Sequence, residues 1–433
     1  MAGLVVGYYA KKRGLPFTIY EATNRIGGNC GTLEHGEFLF DSGAHRFHDR
    51  DGQTTREIKR LLGEDLKACH IQSQIFYDNR FIDFPLSPLN LVRNMGLSTL
   101  AKAVLELVHS RLKKVSPQGN FKDFALYTYG KTLADLFLLN FTEKLWGERC
   151  EHLSVEIAGK RLTGLTLKSF LLEAVGAQKA KSQHLDGSFH YPTMGIGMIP
   201  RRLAECCGEE NILVNSKITR VFHNYDRIQA IEINEQKEIQ AKDIVSTLPM
   251  PLLVKLMAPT PPEDIMRFAQ ALRYRHVILV ALFLNKASVT KSATVYFPSP
   301  DFIFTRIYEP KNRSRAMSPP GKTSLIAEIP AQEGDWVWDL EDERVIELVC
   351  SQISQIGWAR EGEIIDASLV RMHDCYPVLK TDSREKADKI GLFLHGFKNL
   401  KISGRAGRFT YAWIHDMMTL GREIVEQYSS PGR

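Results

Sequence analysis

The sequence predicts an α/β fold in which a nucleotide-binding domain is assembled from distant segments, and three observations predict it. A helix over residues 3–13, closed by Gly14, leads into the buried strand PFTIYE, which ends on Glu21. Helical and strand-rich blocks alternate along the chain. Near the other end, NLKIS runs into the glycine turn GRAGRF and then a closing helix, IHDMMTLGREIVEQY. Such α/β pieces at both ends imply a discontinuous domain with others inserted.

Between the ends, residues 89–183 read as mainly helical. GLSTLAKAVLELVHSRLKK (96–114) is amphipathic, with Leu97, Leu100, Val104, Leu107 and Leu112 mostly on one face. It reads as a core-facing helix, with a membrane-surface helix as the alternative. YPTMGIGMIPRRLAECCG is a glycine-rich turn entering a helix. Residues 211–249 read as short alternating strands with polar turns. HVILVALFLN and TSLIAEIP are further strands, and DERVIELVCSQISQIG (342–357) returns to helix. The nucleotide-binding domain is expected to comprise 1–75, 186–255 and 390–433. A helical domain (76–185) and a strand-rich substrate domain (256–389) are inserted.

Composition narrows the function. With 433 residues, 44% hydrophobic and 24% charged, the chain is an ordinary globular one of two or three domains. A net charge of +6 without a clustered basic tract gives no sign of nucleic acid. Seven scattered cysteines without CxxC suggest reduced thiols and a cytoplasmic protein. Neither a signal peptide nor a run of ~18 apolar residues is present, which leaves peripheral membrane contact open. His45 and His48 lie three apart, but no carboxylate or cysteine spacing supports them, so no metal is expected. There is no Ser-His-Asp spacing, no GxxxxGK[ST] and no HExxH. Oligomeric state is not legible.

The first chemical signal is half a dinucleotide site. Such a site runs from a strand through G-x-G-x-x-G into a helix, and its second strand ends in an acid that takes ribose hydroxyls. Gly3 can serve as the third glycine, Gly7 slims the helix against the sheet, and Glu21 is the acid. An unrelated helix–strand pair is the alternative, and Arg25-Ile26-Gly27-Gly28 tips the balance. EATNRIGG resembles the segment of glutathione-reductase-like FAD proteins in which glycines let the backbone approach the pyrophosphate and an arginine adds charge. The fold implied is the glutathione-reductase-like FAD/NAD(P)-binding (Rossmann-type) fold, and the cofactor implied is FAD. The first strand and first two glycines, roughly ten residues, are not in the sequence. A start upstream of Met1 is expected rather than a non-enzymatic relic, and the chain as written is expected to hold FAD poorly.

The resemblance then becomes more specific. Gly27-Gly28-Asn29-Cys30 and Gly43-Ala44-His45-Arg46-Phe47-His48 resemble the G-G-N-[CA] and G-[AP]-H-x-F-H runs of UDP-galactopyranose mutases. FTEKLWG (141–147) resembles their Y-T-x-K-x-W-G, although Trp146 also suits a plain packing role. FTRIYEPK (304–311) resembles their Y-T-R-I-x-E-H-K, whose arginine holds the substrate diphosphate, a task suited to a guanidinium. For Arg306 the alternative is a surface ion pair with Glu309. GRAGRFTY (404–411) resembles G-R-x-G-x-[YF]-x-Y, whose arginine and tyrosine flank flavin and substrate phosphates.

There are departures too. KRLTGL (160–165) keeps Arg161 but has Leu165 where the mutases have a second diphosphate arginine. Tyr411-Ala412-Trp413-Ile414-His415-Asp416-Met417 carries one extra residue before the acid. FHYPTMGIGMIPRRLAE (189–205) and AKDIVSTLPMPLL (241–253) resemble protoporphyrinogen oxidases, phytoene desaturases and amine oxidases of the same superfamily.

The resemblance implies FAD binding by Gly3, Glu21, Arg25, Gly27, Gly28, Asn29, Val221, Gly404, Arg405 and Asp416. It implies catalytic or substrate roles for His45, Arg306, Tyr411 and Trp146. The mutase-like reading has a small-molecule substrate, a nucleotide sugar or polysaccharide precursor, held by cationic groups and an aromatic wall. The alternative is an oxidase or desaturase that takes hydride from an apolar ring, polyene or amine, for which orientation and an apolar pocket suffice.

Overall fold

The computed structural model describes residues 1–84, 88–112, 119–158 and 188–428. Arg161 and Leu165 lie outside the described residues, as does the stretch 159–187 of the expected helical block.

The chain begins with α1 (Ala2–Lys12), β1 (Ile19–Tyr20) and the hairpin β2 (Thr32–His35) and β3 (Phe38–Asp41). Next come α2 (Gly52–Leu62), β4 (Leu66–His70), β5 (Ser73–Tyr77) and β6 (Arg80–Phe84). A helical block follows: α3 (Pro88–Met95), α4 (Leu97–Leu112), α5 (Phe121–Leu133) and α6 (Asn140–Trp146). The chain returns with β7 (Ser188–Pro192), α7 (Met198–Cys207), β8 (Ile212–Leu213), β9 (Ile218–His223), β10 (Ile228–Ile233), β11 (Lys237–Gln240) and β12 (Ile244–Ser246). Then come α8 (Met250–Leu256), β13 (Met257–Ala258), α9 (Glu263–Ala271), β14 (Tyr274–Leu284), β15 (Val295–Tyr296), β16 (Arg306–Tyr308) and β17 (Thr323–Ala331). It closes with α10 (Asp342–Gln355), β18 (Ile364–Pro377), α11 (Ser383–His395), β19 (Leu400–Ile402), α12 (Gly404–Gly407) and α13 (Ile414–Tyr428).

The largest sheet has seven strands in the order β18-β14-β17-β16-β15-β5-β6. All eleven residues of β14 and all nine of β17 are buried, which explains their unbroken apolar runs. On one face Ile278, Val280 and Leu282 meet Val345, Val349 and Ile353 of α10. On the other, Val277, Leu279 and Phe283 meet Phe38 and Phe40 of the β2–β3 hairpin. The pair β5–β6 straddles the boundary read at residue 75. It bonds to β15 and packs beneath Ala103 of α4 and Tyr129 and Leu133 of α5.

Helix α4 turns its core face differently from the sequence reading. Ala103 and Leu107 are buried, whereas Leu97 is 70% exposed. Ala103 packs among Ile75, Ile82, Tyr129 and Leu133, and α5 comes close to α4 at Gly130, where a Cβ would lie 3.1 Å from Glu106 Cβ. No helix of the described residues is long and apolar enough to cross a membrane.

The two ends of the chain meet. Strand β1 pairs in parallel with β8, and β12 in parallel with β19. These two pairs share no hydrogen bond, and α1 packs against both. The ladder in PFTIYE is limited to Ile19 and Tyr20. Gly7 has the expected role: a Cβ there would lie 2.7 Å from Ile19 Cδ1 and 3.1 Å from Cys207 Sγ. Helix α13 approaches α1 equally closely, because a Cβ on Gly421 would lie 2.5 Å from Val5 Cγ1.

Candidate functional site

Several predicted residues gather where α1 begins. Glu21 directly follows β1, its amide donating to Leu213 O (2.9 Å) and its Oε1 accepting from Thr23 N (3.0 Å). Six residues after Glu21, Gly27 and Gly28 take φ of +96° and +58°, values that favour glycine. A Cβ on Gly27 would lie 2.9 Å from Pro200 Cγ, whereas open space surrounds Gly28. Backbone turns of this kind are able to present N–H groups to an anion. Gly404, also left-handed at φ +84°, brings the other end of the chain in. A Cβ on it would lie 2.9 Å from Ala2 Cβ. Gly3, beside Ala2, faces Ile19. The Met1 amine is buried here, which lowers its pKa, with Cys30, Glu21 and Arg25 close enough to act on it.

Three buried polar atoms in this region lack a protein partner among the described residues: Arg25 Nη1, Ser246 Oγ and Ser403 Oγ. Ser246 ends β12, Ser403 directly follows β19, and Ser403 N donates to Ser246 O (2.9 Å). Buried polar groups normally have partners. A guanidinium, two hydroxyls, a glycine turn and an acid at a strand end suit a dinucleotide's pyrophosphate and ribose.

A second group forms an inner wall. Arg306 on β16 stands opposite Glu328 on β17. Its Nε donates to Glu328 Oε2 (2.6 Å) and its Nη2 to the Tyr376 hydroxyl (2.9 Å). Burial works against the charge, but Glu328 keeps Arg306 firmly protonated. The other oxygen of Glu328 accepts from Ala44 N (2.6 Å), which ties the pair to the loop carrying His45. The surface pair with Glu309 does not form. Glu309 is fully buried and accepts from Thr290 N (2.8 Å) and the Thr323 hydroxyl (2.7 Å). The β16–β17 register selects Glu328 instead.

Tyr376 and Tyr411 stack at 6.2 Å and 15°, and Trp146 meets them edge-on at 6.0 and 6.4 Å. Arg405 lies 5.0 Å from the Tyr411 ring centre and 5.7 Å from that of Tyr376. Its hydrogen bonds go to carbonyls, Ala412 O (3.0 Å) and Cys375 O (3.1 Å), and it makes no salt bridge to a carboxylate among the described residues. His45 is buried nearby, since a Cβ on Gly43 would lie 3.5 Å from His45 Nε2 and 3.7 Å from Glu328 Oε1. Burial, then the charges of Arg405, Arg306 and Arg313, push His45 down to about 3, so the ring is neutral. Burial raises Tyr376 to about 12.

The structure brings Gly3, Glu21, Arg25, Gly27, Gly28, Asn29, Gly404 and Arg405 to one end of the molecule. His45, Trp146, Arg306 and Tyr411 gather around the inner wall. Val221 lies in the core beneath the β11-β10-β9-β13 sheet, in a cluster that also takes in Ile244, Ile402 and Tyr411. Asp416 is exposed in the first turn of α13, its Oδ2 accepting from Trp413 N (2.8 Å). Sequence reasoning missed Glu328, Tyr376, Lys144 and Arg275. Lys144 Nζ donates to Phe297 O (3.0 Å), Ser299 O (2.9 Å) and Phe304 O (2.6 Å), which fixes α6 and so Trp146. Buried Arg275 closes over Gly147 and bonds to Asp335 (2.8 Å) and Pro330 O (3.2 Å). Lys144 was the legible one, since it lies inside FTEKLWG.

Over residues 1–377 the chain matches the family of flavin-containing amine oxidoreductases, and it belongs to that family. The cofactor of the class is FAD, which the donors at the chain ends fit. Among curated proteins it is 22% identical over 251 residues to protoporphyrinogen oxidase 2, chloroplastic/mitochondrial, of Arabidopsis thaliana. That match covers 52% of this chain and 49% of the plant protein. It is 25% identical over 190 residues to the mitochondrial protoporphyrinogen oxidase of Nicotiana tabacum, covering 42% and 38%. The chain thus spans about half the length, or less, of the curated relatives it matches.

Among solved structures, reduced UDP-galactopyranose mutase superposes with a TM-score of 0.88 at 17% identity, covering 99% of this chain and 93% of that one. A protoporphyrinogen oxidase-like protein from Exiguobacterium sp. 255-15 superposes at 0.76 with 16% identity, covering 99% and 96%. The fold is therefore that of FAD-dependent oxidoreductases with a Rossmann-type cofactor domain.

Proposed function

We propose that the protein is a flavoenzyme acting on a small phosphorylated substrate, a nucleotide sugar or polysaccharide precursor. The observation that carries this reading is the inner wall: an aromatic cluster of Trp146, Tyr376 and Tyr411 bordered by Arg306 and Arg405. The name of the mutase structure that superposes over nearly the whole chain supports it. FAD, when bound, supplies a ring that accepts hydride or, once reduced, attacks carbon.

The rest falls to the chain. The segments 1–75, 186–255 and 390–433 hold the cofactor. Glu21 takes ribose hydroxyls, and Arg25 with the Gly27–Gly28 turn takes the pyrophosphate. Val221 and Asp416 belong to the same cofactor set. Arg405 supplies positive charge beside the flavin and the substrate phosphates. Neutral His45 accepts a hydrogen bond without adding charge. Glu328 orients Arg306, and the three rings exclude water. The substrate domain is 256–389 and the helical domain 76–185, in a cytoplasmic protein.

A second reading is carried by Glu328. Because it already neutralises Arg306, the pocket also suits an apolar ring, polyene or amine that gives hydride to the flavin. The two protoporphyrinogen oxidase relatives support this alternative. Titration with uridine diphosphate separates the two. Under the first reading Arg306→Ala loses about 2–3 kcal/mol of uridine diphosphate affinity, as for a charge-assisted hydrogen bond, and keeps FAD. Unchanged affinity together with flavin bleaching by an apolar substrate supports the second.

A further inference from the structure

We propose that His276, His373 and Glu333 form a surface site for a divalent transition metal of the Zn2+ class. One ligand atom from each lies within 4.8 Å of the other two. Three neighbouring strands assemble them, in the order β18-β14-β17. His276 on β14 pairs with Ala331 at the end of β17, and Glu333 follows two residues later on a turn. On the other side the register shifts. Arg275 faces Tyr376 and Val277 faces Met372, so His276 alone opposes residues 373–375. This bulge carries the His373 ring to 5.1 Å from that of His276.

Both supports are built. In the turn, Asp335 Oδ2 accepts from Gln332 N (2.9 Å) and from Arg275 Nη1 (2.8 Å). In the bulge, Asp374 takes φ +52°, and its amide donates to His276 Nδ1 (3.0 Å); ligation through Nε2 puts the proton on Nδ1, so this bond is exchanged for one from Nδ1–H to Asp374 Oδ1. Trp338 lies 4.9 Å from the His276 ring and 5.2 Å from that of His373. Asp374 adds negative charge, its Oδ1 lying 4.0 Å from His276 Nδ1.

The donor set decides the class of ion. Two imidazoles and one carboxylate suit Zn2+ and its neighbours, whereas Mg2+ and Ca2+ prefer oxygen alone. A tetrahedral ion with bonds of about 2.0–2.1 Å holds its ligands roughly 3.4 Å apart. Closing the set needs shifts of about an ångström, which exposed His373 and Glu333 have room to make. The bulge also serves the flavin side, since Asp374 O accepts from Asn29 Nδ2 (3.4 Å) and Cys375 O from Arg405. A metal there would stiffen the segment that holds both residues.

The test is a Zn2+ titration of the full chain against a chromophoric chelator. One equivalent is expected to bind. His373→Ala and Glu333→Ala should each weaken binding at least about tenfold, with circular dichroism unchanged because both side chains are exposed. Glu333→Gln keeps the shape of the turn and should weaken binding as well. No binding by the parent chain, or unchanged affinity in the variants, would overturn the site; in the latter case the ion sits on other histidines or cysteines.

Discussion

Every side chain of β14 and β17 is buried, whereas β1, β8, β12 and β19 run for only two or three residues each. The seven-stranded sheet is stabilised by apolar side chains packed on both faces. The end where the chain termini meet is held by close approaches at Gly7, Gly404 and Gly421 and keeps buried polar atoms without partners among the described residues. The contrast separates stability from function. Rigid packing positions the site from one side, while under the proposed assignment the other side would be completed by the cofactor's own hydrogen bonds.

Substitutions in the two regions should therefore give different signatures. The largest effect is expected from Phe283→Ala. Phe283 is fully buried, stacked on His35 at 4.4 Å and tilted against Phe38 at 4.7 Å. Its loss should cost about 3–5 kcal/mol in urea unfolding, with FAD affinity in native buffer little changed. A smaller loss of stability, with a matching loss of FAD affinity, would blur the distinction between the regions.

Gly27→Ala should act in the opposite sense. Its positive φ and the 2.9 Å approach to Pro200 Cγ put about 1–3 kcal/mol of strain on the turn. FAD affinity is expected to fall about tenfold or more, measured by flavin fluorescence titration, with a smaller shift in the urea midpoint.

An effect confined to acid pH is traced to His45. Its folded pKa is depressed to about 3, from about 6.5 when unfolded. Between those values the unfolded chain binds the extra proton, so stability rises with pH there. The contribution is fully present above about 6.5 and is lost as pH falls toward 3. His45→Asn should flatten the acid side of a stability–pH curve. An unaltered slope would mean that His45 titrates normally in the fold.

The glycines were legible because each has a local reason visible in sequence: a turn after a strand, or a small residue facing a strand. EATNRIGG and GRAGRF announced themselves without knowledge of their neighbours. Partners across strands were not legible. Arg306 could be named, but its counter-ion depends on the register of β16 against β17, which put Glu328 opposite and sent Glu309 to cap a different loop. Arg275 and Tyr376 meet the site only through β14 and β18, whose pairing is set by a bulge. The face of α4 was misread at Leu97 because helical periodicity does not tell which side of a helix its neighbours will cover.

The most direct measurement is the visible spectrum of the purified chain after incubation with FAD and gel filtration, beside Gly27→Ala. Flavin bands near roughly 370 and 450 nm that elute with the parent protein in less than equimolar amount, as expected of a chain that holds FAD poorly, and are weaker still in the variant, are the predicted result. A folded parent chain that elutes without flavin would contradict the assignment of Glu21, Arg25, Gly27–Gly28 and Gly404 to a cofactor site.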